Sequence, residues 1–272
     1  MTVTECERDG LIAIVRAAAR SEILPRFRRL SPADVSTKAS PSDLVTIADK
    51  AAERVMSAEI RRLLPDAGIV GEEAVAENPA LLDRLKYAGR TVLVDPIDGT
   101  WNFVAGLATF GVILAVVEDG ETIFGLLYDP VMDDWIMASR GHGALYCRPD
   151  QTPIRLHGPP RRPKSEAHAF VPLFLYPPEE RSRIASVFPR WGRVTNLRCS
   201  CHEYRTLAFG HADLIAAPAP KPWDHAAGVL IVSEIGGAAW TGKMGYDTTD
   251  SNTTLIVTAT AHSGQGYITD FR

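Results

Sequence analysis

The ten residues from Val94 to Phe103 constrain this chain more than any other stretch. They follow an apolar run at 91–94 that is typical of a buried strand, so two carboxylates come where that strand ends. Pro96 cannot donate a hydrogen bond to a sheet, and Gly99 permits backbone angles that other residues avoid. The pattern therefore predicts a rigid turn that carries two carboxylates and a hydroxyl group.

Asp95, Asp98 and the carbonyl group of Ile97 form an oxygen-only donor set of the kind that Mg²⁺ or Mn²⁺ prefers. The alternative is an ordinary turn, because Asp-Pro and Asp-Gly are common turn formers. If a helix begins directly after this turn, the backbone N–H groups of Gly99 and Thr100 are candidates for binding phosphate oxygens.

Composition excludes several classes of protein. The 272 residues are enough for one large domain or two smaller ones, and 46% hydrophobic with 23% charged residues is ordinary for a globular protein. The net charge of −4 gives no general attraction to nucleic acid or an anionic membrane. No signal peptide and no membrane-spanning stretch is evident, so we expect a cytoplasmic protein. The four cysteines are few and unevenly spaced, which favours reduced, structural thiols.

Two helices are indicated in the first third of the chain. Apolar residues at helical spacing predict one from Thr4 to about Leu24. Thr46, followed three residues later by Asp49, predicts the start of a second helix that runs to Leu64. Capping alone would explain both Thr46 and Asp49.

Two more acidic positions lie at element boundaries. Glu72 and Glu73 follow a short predicted strand, and because side chains alternate along a strand, only one of them is expected to face a site. Asp224 is an N-cap candidate for a buried helix that ends before Gly236.

The remaining chain divides into two patterns. Residues 111–117, 122–128, 135–138 and 144–147 predict successive antiparallel strands of one sheet. A Pro- and Arg-rich segment at 151–164 predicts a linker between domains of residues 1–150 and 151–272. Beyond it, strands (167–174, 196–199, 213–216) alternate with helices (178–188, 202–210), and a last strand (253–258) precedes a short tail.

The hexapeptide Asp-Pro-Ile-Asp-Gly-Thr at 95–100, followed by Asn102 and Phe103, resembles the signature of the inositol monophosphatase family of metal-dependent phosphatases. The segment from Asp43 to Asp49, the glutamate pair and the Trp-Asp pair at 223–224 match the same family in the same order. The resemblance spans roughly residues 31–258 and is weakest between about 149 and 198.

The resemblance implies a layered αβαβα sandwich of mixed α+β and α/β character. A half made of helices and an antiparallel sheet would pack on an α/β half, with the site between them. It also implies a homodimer. The implied function is Mg²⁺-dependent hydrolysis of a small phosphorylated metabolite by a metal-activated water, with inhibition by Li⁺.

The resemblance also implies a ligand set. One ion would lie between Glu72, Asp95 and the Ile97 carbonyl, and a second between Asp95, Asp98 and Asp224. A third, weaker ion is compatible with this set, and Mn²⁺ would substitute for Mg²⁺. Physical chemistry points the same way, because four carboxylates gathered in a partly dry cleft repel one another unless cations are bound.

For catalysis, the resemblance implies that Thr100, oriented by Asp49, positions and deprotonates the water, with Glu72 as a further catalytic group. The candidate substrate-binding residues are Asp98, Gly99, Thr100 and Asp224, together with Lys221, a cation near Asp224 that is a candidate for meeting a second anionic group. Lys38 has two interpretations, as a basic residue near the site or as a solvated surface lysine. The sequence assigns no role to Cys199, Cys201 or His202.

Substrate identity is where the sequence departs from its relatives. An ungapped alignment to Asp224 puts Ala217 where inositol-specific members carry a glutamate that binds inositol hydroxyls, and their Gly-Thr/Ser-Ala-Ala segment is missing. We therefore expect inositol 1-phosphate to be a poor substrate. The alternative substrates are histidinol phosphate, a sugar bisphosphate and a nucleotide 3′-phosphate. The alternative function is that of a non-catalytic phosphate- or metal-binding regulator.

Overall fold

A computed structural model describes residues 2–38, 43–242, 244–261 and 264–271 of the chain. Within these residues a seven-stranded sheet, a six-stranded sheet and a two-stranded ribbon are present. The ribbon consists of β1 (Val35–Thr37) and β2 (Leu44–Thr46), which pair antiparallel. Residues 39–42, which belong to the first segment of the family resemblance, lie outside the described residues.

The seven-stranded sheet is formed by strands that follow one another in sequence. They are β3 (Gly68–Gly71), β4 (Arg90–Asp98), β5 (Gly111–Glu118), β6 (Glu121–Asp129), β7 (Asp134–Ser139), β8 (Ala144–Cys147) and β9 (Ile154–Arg155). β3 pairs parallel to β4, and every later strand pairs antiparallel with the one before it. The prediction of successive antiparallel strands is confirmed.

The six-stranded sheet is mixed. Its strands are β10 (His168–Phe170), β11 (Arg193–Thr195), β12 (Leu214–Ala217), β13 (Ala238–Thr241), β14 (Met244–Gly245) and β15 (Leu255–Thr258). β10 pairs parallel with β11 and β12, whereas β15 pairs antiparallel with β12 and β13. The predicted strand at 196–199 is wrong. The strand ends at Thr195, and the next four residues form an irregular connection to the helix that follows.

The α-helices of the described residues are α1 (Glu5–Ala18), α2 (Ile47–Leu63), α3 (Glu72–Glu77), α4 (Thr100–Val104), α5 (Pro178–Ser186), α6 (Ser200–Ala208), α7 (Pro222–Glu234) and α8 (Gly264–Phe271). Thr4 caps α1, which continues as a π-helical turn (Ala19–Ile23) and a 3₁₀ turn (Leu24–Arg26) that contains Pro25. The predicted short tail includes α8 instead, because its apolar side chains pack under the second sheet.

Three hydrophobic cores hold five layers together, and the second core extends on both sides of the middle layer. The first core joins α1 and α2 to one face of the seven-stranded sheet, and the second joins the other face to α6, α7 and the six-stranded sheet. The third joins the far face of the six-stranded sheet to α5 and α8. Along β4, Val92 and Val94 belong to the first core and Leu93 to the second, as strand alternation requires. This is the predicted αβαβα sandwich.

The central helix α7 lies very close to its neighbours at two glycines. A Cβ atom on Gly125 of β6 would lie 2.8 Å from the backbone of Ala227, and one on Gly228 would lie 2.2 Å from the ring of Tyr204 in α6. Small residues at the contacts therefore allow α7 to cross the sheet closely, and its first turn is brought to the end of β4. Among the described residues, no helix combines the length and the apolarity needed to cross a membrane.

Candidate active site

A cavity of about 900 Å³ opens where the end of β4 meets the starts of α3, α4 and α7. All of the sequence-predicted site residues except Asp49 line it: Glu72, Asp95, Ile97, Asp98, Gly99, Thr100, Lys221 and Asp224. Lys38 and Ala217 line it too. Residues as far apart in sequence as Lys38 and Asp224 are therefore brought to one cavity by the layered packing.

The last residues of β4 and the glycine that follows present these groups because the backbone there is irregular. The pairing of β4 with β5 shifts between Asp95 and Asp98, and the side chain of Asp95 accepts a hydrogen bond from the Ile97 N–H (3.1 Å). Gly99 has φ +86°, and a Cβ atom there would lie 3.0 Å from the carbonyl oxygen of Thr109. The predicted rigid turn is present, although the strand continues through it to Asp98.

The hydroxyl group of Thr100 lies between two acceptors at the start of α4. Its Oγ1 is 3.0 Å from Oδ1 of Asp49 and 2.9 Å from the Ile97 carbonyl oxygen. The other oxygen of Asp49 accepts hydrogen bonds from the N–H and hydroxyl groups of Thr46, which confirms the predicted capping box of α2. Burial raises the pKa of Asp49 to about 6. Asp49 therefore both caps a helix and fixes the Thr100 hydroxyl.

Lys38 lies at the site and is not a free surface lysine. Its Nζ is 2.7 Å from a carboxylate oxygen of Glu72 and 2.7 Å from one of Glu73. The prediction that the two glutamates face opposite ways is wrong, because they begin helix α3 rather than end strand β3. Burial and the charge of Glu72 raise the pKa of Glu73 to about 8. Although burial alone would lower it, the two carboxylates raise the pKa of Lys38.

Glu53 supports this arrangement from α2. Its two carboxylate oxygens accept hydrogen bonds from the N–H groups of Glu73 (2.8 Å) and Ala74 (2.9 Å), the otherwise unpaired donors at the start of α3. Gly71 leaves room for it, since a Cβ atom there would lie 2.3 Å from the Glu53 carboxyl group. Sequence analysis missed Glu53, because a glutamate at helical spacing is indistinguishable from an exposed helix residue.

Asp98 is held by the second half of the chain. Its Oδ2 accepts hydrogen bonds from the thiol of Cys199 (3.1 Å) and from the N–H of Cys201 at the start of α6. Burial raises the pKa of Asp98 to about 6, while the Cys201 N–H acts in the opposite direction. Cys199 and Cys201 are both free and buried, whereas Cys6 is free and exposed. Nε2 of His202 lies 3.0 Å from the Phe110 carbonyl oxygen and 4.0 Å from a carboxylate oxygen of Asp129.

Asp224 reaches the cavity from the first turn of α7. The N-cap prediction for Asp224 is wrong, because Pro222 takes the first helical position and Lys221 becomes the cap residue. Burial and the charges of Asp98 and Glu72 raise the pKa of Asp224. Gly236, with φ +95°, follows the helix as predicted.

Glu72, Asp95, Asp98 and Asp224 form an acidic group at the cavity. Asp95 is its most enclosed member, with 2% of its surface exposed. Burial and the charges of Glu72, Asp98 and Asp224 raise its pKa well above the usual range for an aspartate. Among the described residues, no three His, Cys, Asp or Glu side chains are already arranged as a metal centre. The donor chemistry nevertheless fits hard divalent cations, since four carboxylates and a carbonyl group face one cavity with too little positive charge.

Comparison with known proteins decides the family. A model described as "Inositol monophosphatase family" matches residues 5–271. The chain belongs to the inositol monophosphatase family.

Individual family members are moderately similar to this chain. A "Fructose-1,6-bisphosphatase/inositol-1-monophosphatase" of Thermotoga maritima is 30% identical over 207 residues, which is 75% of this chain and 73% of that protein. A "Histidinol-phosphatase" of Chlorobaculum parvum is 28% identical over 202 residues, 72% of this chain and 71% of that protein. A solved Thermotoga maritima IMPase superposes with a TM-score of 0.80 at 25% identity, covering 97% of this chain and 96% of that one.

In this inositol monophosphatase family member, the acidic group should weaken the fold when no metal is present. The pKa of Asp98 is about 6 and that of Glu73 about 8, both above the values of an unfolded chain. Their contribution to stability is therefore fully present below about pH 4 and is lost as the pH rises through 6 to 8.

We expect Asp95→Asn to unfold at least about 2 °C above the parent in EDTA at pH 8, measured by thermal denaturation, since it removes one repelling charge. The gain should be smaller at pH 5 than at pH 8, because burial and the neighbouring acids raise the pKa of Asp95 and so favour its uncharged form as the pH falls. Asp134→Asn is the matched control, because Asp134 is buried against Arg205 and its loss of charge should lower the unfolding temperature. An Asp95→Asn protein less stable than the parent at pH 8 would contradict the argument.

Proposed function

We propose that this protein is a Mg²⁺-dependent phosphomonoesterase that hydrolyses a small phosphorylated metabolite with a metal-activated water. One observation carries the proposal: the acidic group and Thr100, whose hydroxyl donates a hydrogen bond to Asp49 (3.0 Å), line a single cavity. Membership of a phosphatase family supports the reaction class. A non-catalytic regulator would have no need of a threonine hydroxyl held against a buried carboxylate.

The residues that would hold metal are those of the acidic group. Glu72, Asp95 and the Ile97 carbonyl would hold one ion, and Asp95, Asp98 and Asp224 would hold the other. When bound, such ions polarise phosphoryl oxygens and lower the pKa of a water molecule. The donors are pre-positioned by ordinary hydrogen bonds, since Asp98 is held by the Cys199 thiol and the Cys201 N–H.

Thr100 and Asp49 would move the proton of the attacking water. The Thr100 oxygen can take that proton while its own proton passes to Oδ1 of Asp49, 3.0 Å away. A pKa of about 6 suits Asp49 to this role, because it is ionised near neutral pH and still basic enough to accept a proton. Lys38 would keep Glu72 and Glu73 fixed at the side of the site.

We expect phosphate release to require Mg²⁺ and to be lost in Asp95→Asn and Glu72→Gln, while both proteins keep the parent's circular dichroism spectrum. The physical reason is that each substitution removes a charged oxygen donor from a shared ligand set. Asp134→Asn, away from the cavity, is the control and should still show Mg²⁺-dependent turnover. Equal phosphate release by the Asp95→Asn protein and the parent would refute the two-metal proposal.

We expect Thr100→Ala to lower kcat by about 10²–10⁴-fold with little change in KM, because general-base assistance contributes roughly that much. Thr100→Ser keeps the hydroxyl group and should recover most of the activity. Steady-state kinetics separates the two roles: a raised KM at unchanged kcat would make Thr100 a substrate-binding residue only.

The substrate is proposed to be something other than inositol 1-phosphate. Ala217, at the end of β12, lines the cavity with a methyl group that cannot accept a hydrogen bond from an inositol hydroxyl. A lost polar contact weakens discrimination by about 1–3 kcal/mol. One relative is named for both fructose 1,6-bisphosphate and inositol 1-phosphate and another for histidinol phosphate, so fructose 1,6-bisphosphate and histidinol phosphate are the first alternatives to inositol 1-phosphate.

We expect the kcat/KM for inositol 1-phosphate to be lower than that of at least one other phosphomonoester. The panel is inositol 1-phosphate, fructose 1,6-bisphosphate, histidinol phosphate and a nucleoside 3′-phosphate, with Mg²⁺ and phosphate release as the readout. Ala217→Glu tests the cause, because restoring an acceptor should raise the relative rate with inositol 1-phosphate. A parent that prefers inositol 1-phosphate over the whole panel would contradict this expectation.

A further inference from the structure

Arg198 lies between two aromatic rings at the wall of the cavity. Its guanidinium carbon is 4.2 Å from the ring centroid of Trp101 and 4.9 Å from that of Phe174. Both rings remain partly open, with 39% of Trp101 and 41% of Phe174 exposed. All three residues line the cavity that contains the acidic group. Stacking fixes the plane of the guanidinium and leaves the N–H donors at its edge available.

Arg198 has no acidic partner in the part of the chain that the structure describes. Within residues 2–38, 43–242, 244–261 and 264–271, the Arg198 guanidinium has neither an ion pair nor a hydrogen bond. Burial lowers the pKa of Arg198, yet an arginine stays charged in proteins, so a partly buried cation lacks a partner. The buried guanidinium of Arg205, by contrast, is paired with Asp134.

The backbone that carries Arg198 is anchored. Arg198 has φ +53°, an uncommon value for a residue with a side chain, and its N–H donates to the side chain of Asn196 (3.0 Å). Asn102 donates to the carbonyl oxygen of Leu197 (2.8 Å), and Glu203 accepts a hydrogen bond from the Leu197 N–H (2.7 Å). The position of Arg198 is thus tied to the helix that begins with Thr100.

We propose that Arg198 binds a second anionic group, a phosphate or a carboxylate, on the leaving-group part of the substrate. Trp101 directly follows Thr100, so a substrate whose reacting phosphoryl group lies at Thr100 extends across the Trp101 ring toward the guanidinium. A planar fork of N–H donors matches an oxyanion and gains far less from a neutral hydroxyl group. The assignment rests on the proposed phosphomonoesterase function and makes Arg198 a specificity-determining residue of that site.

The test compares substrates that differ in one anionic group. Fructose 1,6-bisphosphate against fructose 1-phosphate tests a second phosphate, and 3-phosphoglycerate against glycerol 3-phosphate tests a carboxylate. In the parent, kcat/KM should favour the doubly anionic member of at least one pair. Arg198→Gln should reduce that ratio by about tenfold or more, as expected for a lost charge-assisted contact. Arg198→Lys should retain part of the ratio, because it keeps the charge without the fork.

Arg54→Gln is the matched control, since Arg54 is exposed on α2 and does not line the cavity. It should leave the ratio of both pairs unchanged. A ratio that is equal in Arg198→Gln and the parent overturns the assignment, as does a parent that prefers the singly anionic member of both pairs.

A binding readout separates this inference from the proposed function. Because Trp101 contacts the guanidinium, fructose 1,6-bisphosphate should change the tryptophan fluorescence of the parent, and Trp101→Phe should remove that change. If no probe releases phosphate, the proposed function fails, and the titration still decides on Arg198. Loss of the signal in Arg198→Gln, with retention in Arg54→Gln, supports the second-anion site, and an equal signal in both variants overturns it.

Discussion

The repulsion among buried carboxylates at the end of β4 is the constraint on which the rest of the structure depends. Asp95 is almost inaccessible, and its pKa is raised by burial and by three neighbouring acids. Such a group cannot form by local preference, because each acid would be more stable in water. The five layers hold it together, and their hydrophobic cores supply the free energy that the acidic group consumes. The hydrophobic cores thus offset the destabilisation that the buried acids cause at the site.

Hydrogen bonds across the layers decide where the acids point. Asp98 lies in the seven-stranded sheet, yet it accepts hydrogen bonds from Cys199 and from the start of α6 in the second half of the chain. Glu53, on α2, fixes the start of α3 and so the position of Glu72. The close crossing of α7 at Gly125 brings the first turn of that helix to the same cavity. Asp98, Glu72 and Asp224 are therefore each positioned by an element other than their own, whereas Asp95 accepts a hydrogen bond from Ile97 of its own strand.

Much of this arrangement could be predicted because local chemistry marks it. The strand end before Asp95, the Thr46–Asp49 capping pair and the antiparallel strands follow from patterns within a few residues. The N-cap prediction for Asp224 failed for a local reason, the proline at position 222, whereas two other predictions failed because of contacts outside the segment concerned. Glu72 and Glu73 begin a helix because Glu53 accepts hydrogen bonds from N–H groups in its first turn. Residues 196–199 leave the sheet because Asn102 and Glu203 form hydrogen bonds with their backbone. Glu53 lies 20 residues from Glu73, and Asn102 lies 95 residues from Leu197, so no short window of sequence contains both partners of these two contacts.

The residues closest to the chemistry also have structural duties, and this limits how the site can change. Asp49 caps α2 with one oxygen and binds Thr100 with the other, so its replacement alters a helix end and the hydroxyl together. Asn102 ties α4 to the chain before Arg198. Arg198 itself differs, because its side chain contributes only ring contacts to the described structure. A position whose side chain is free of such duties can vary at low cost to folding, and substrate preference is therefore easier to alter there than at the acids.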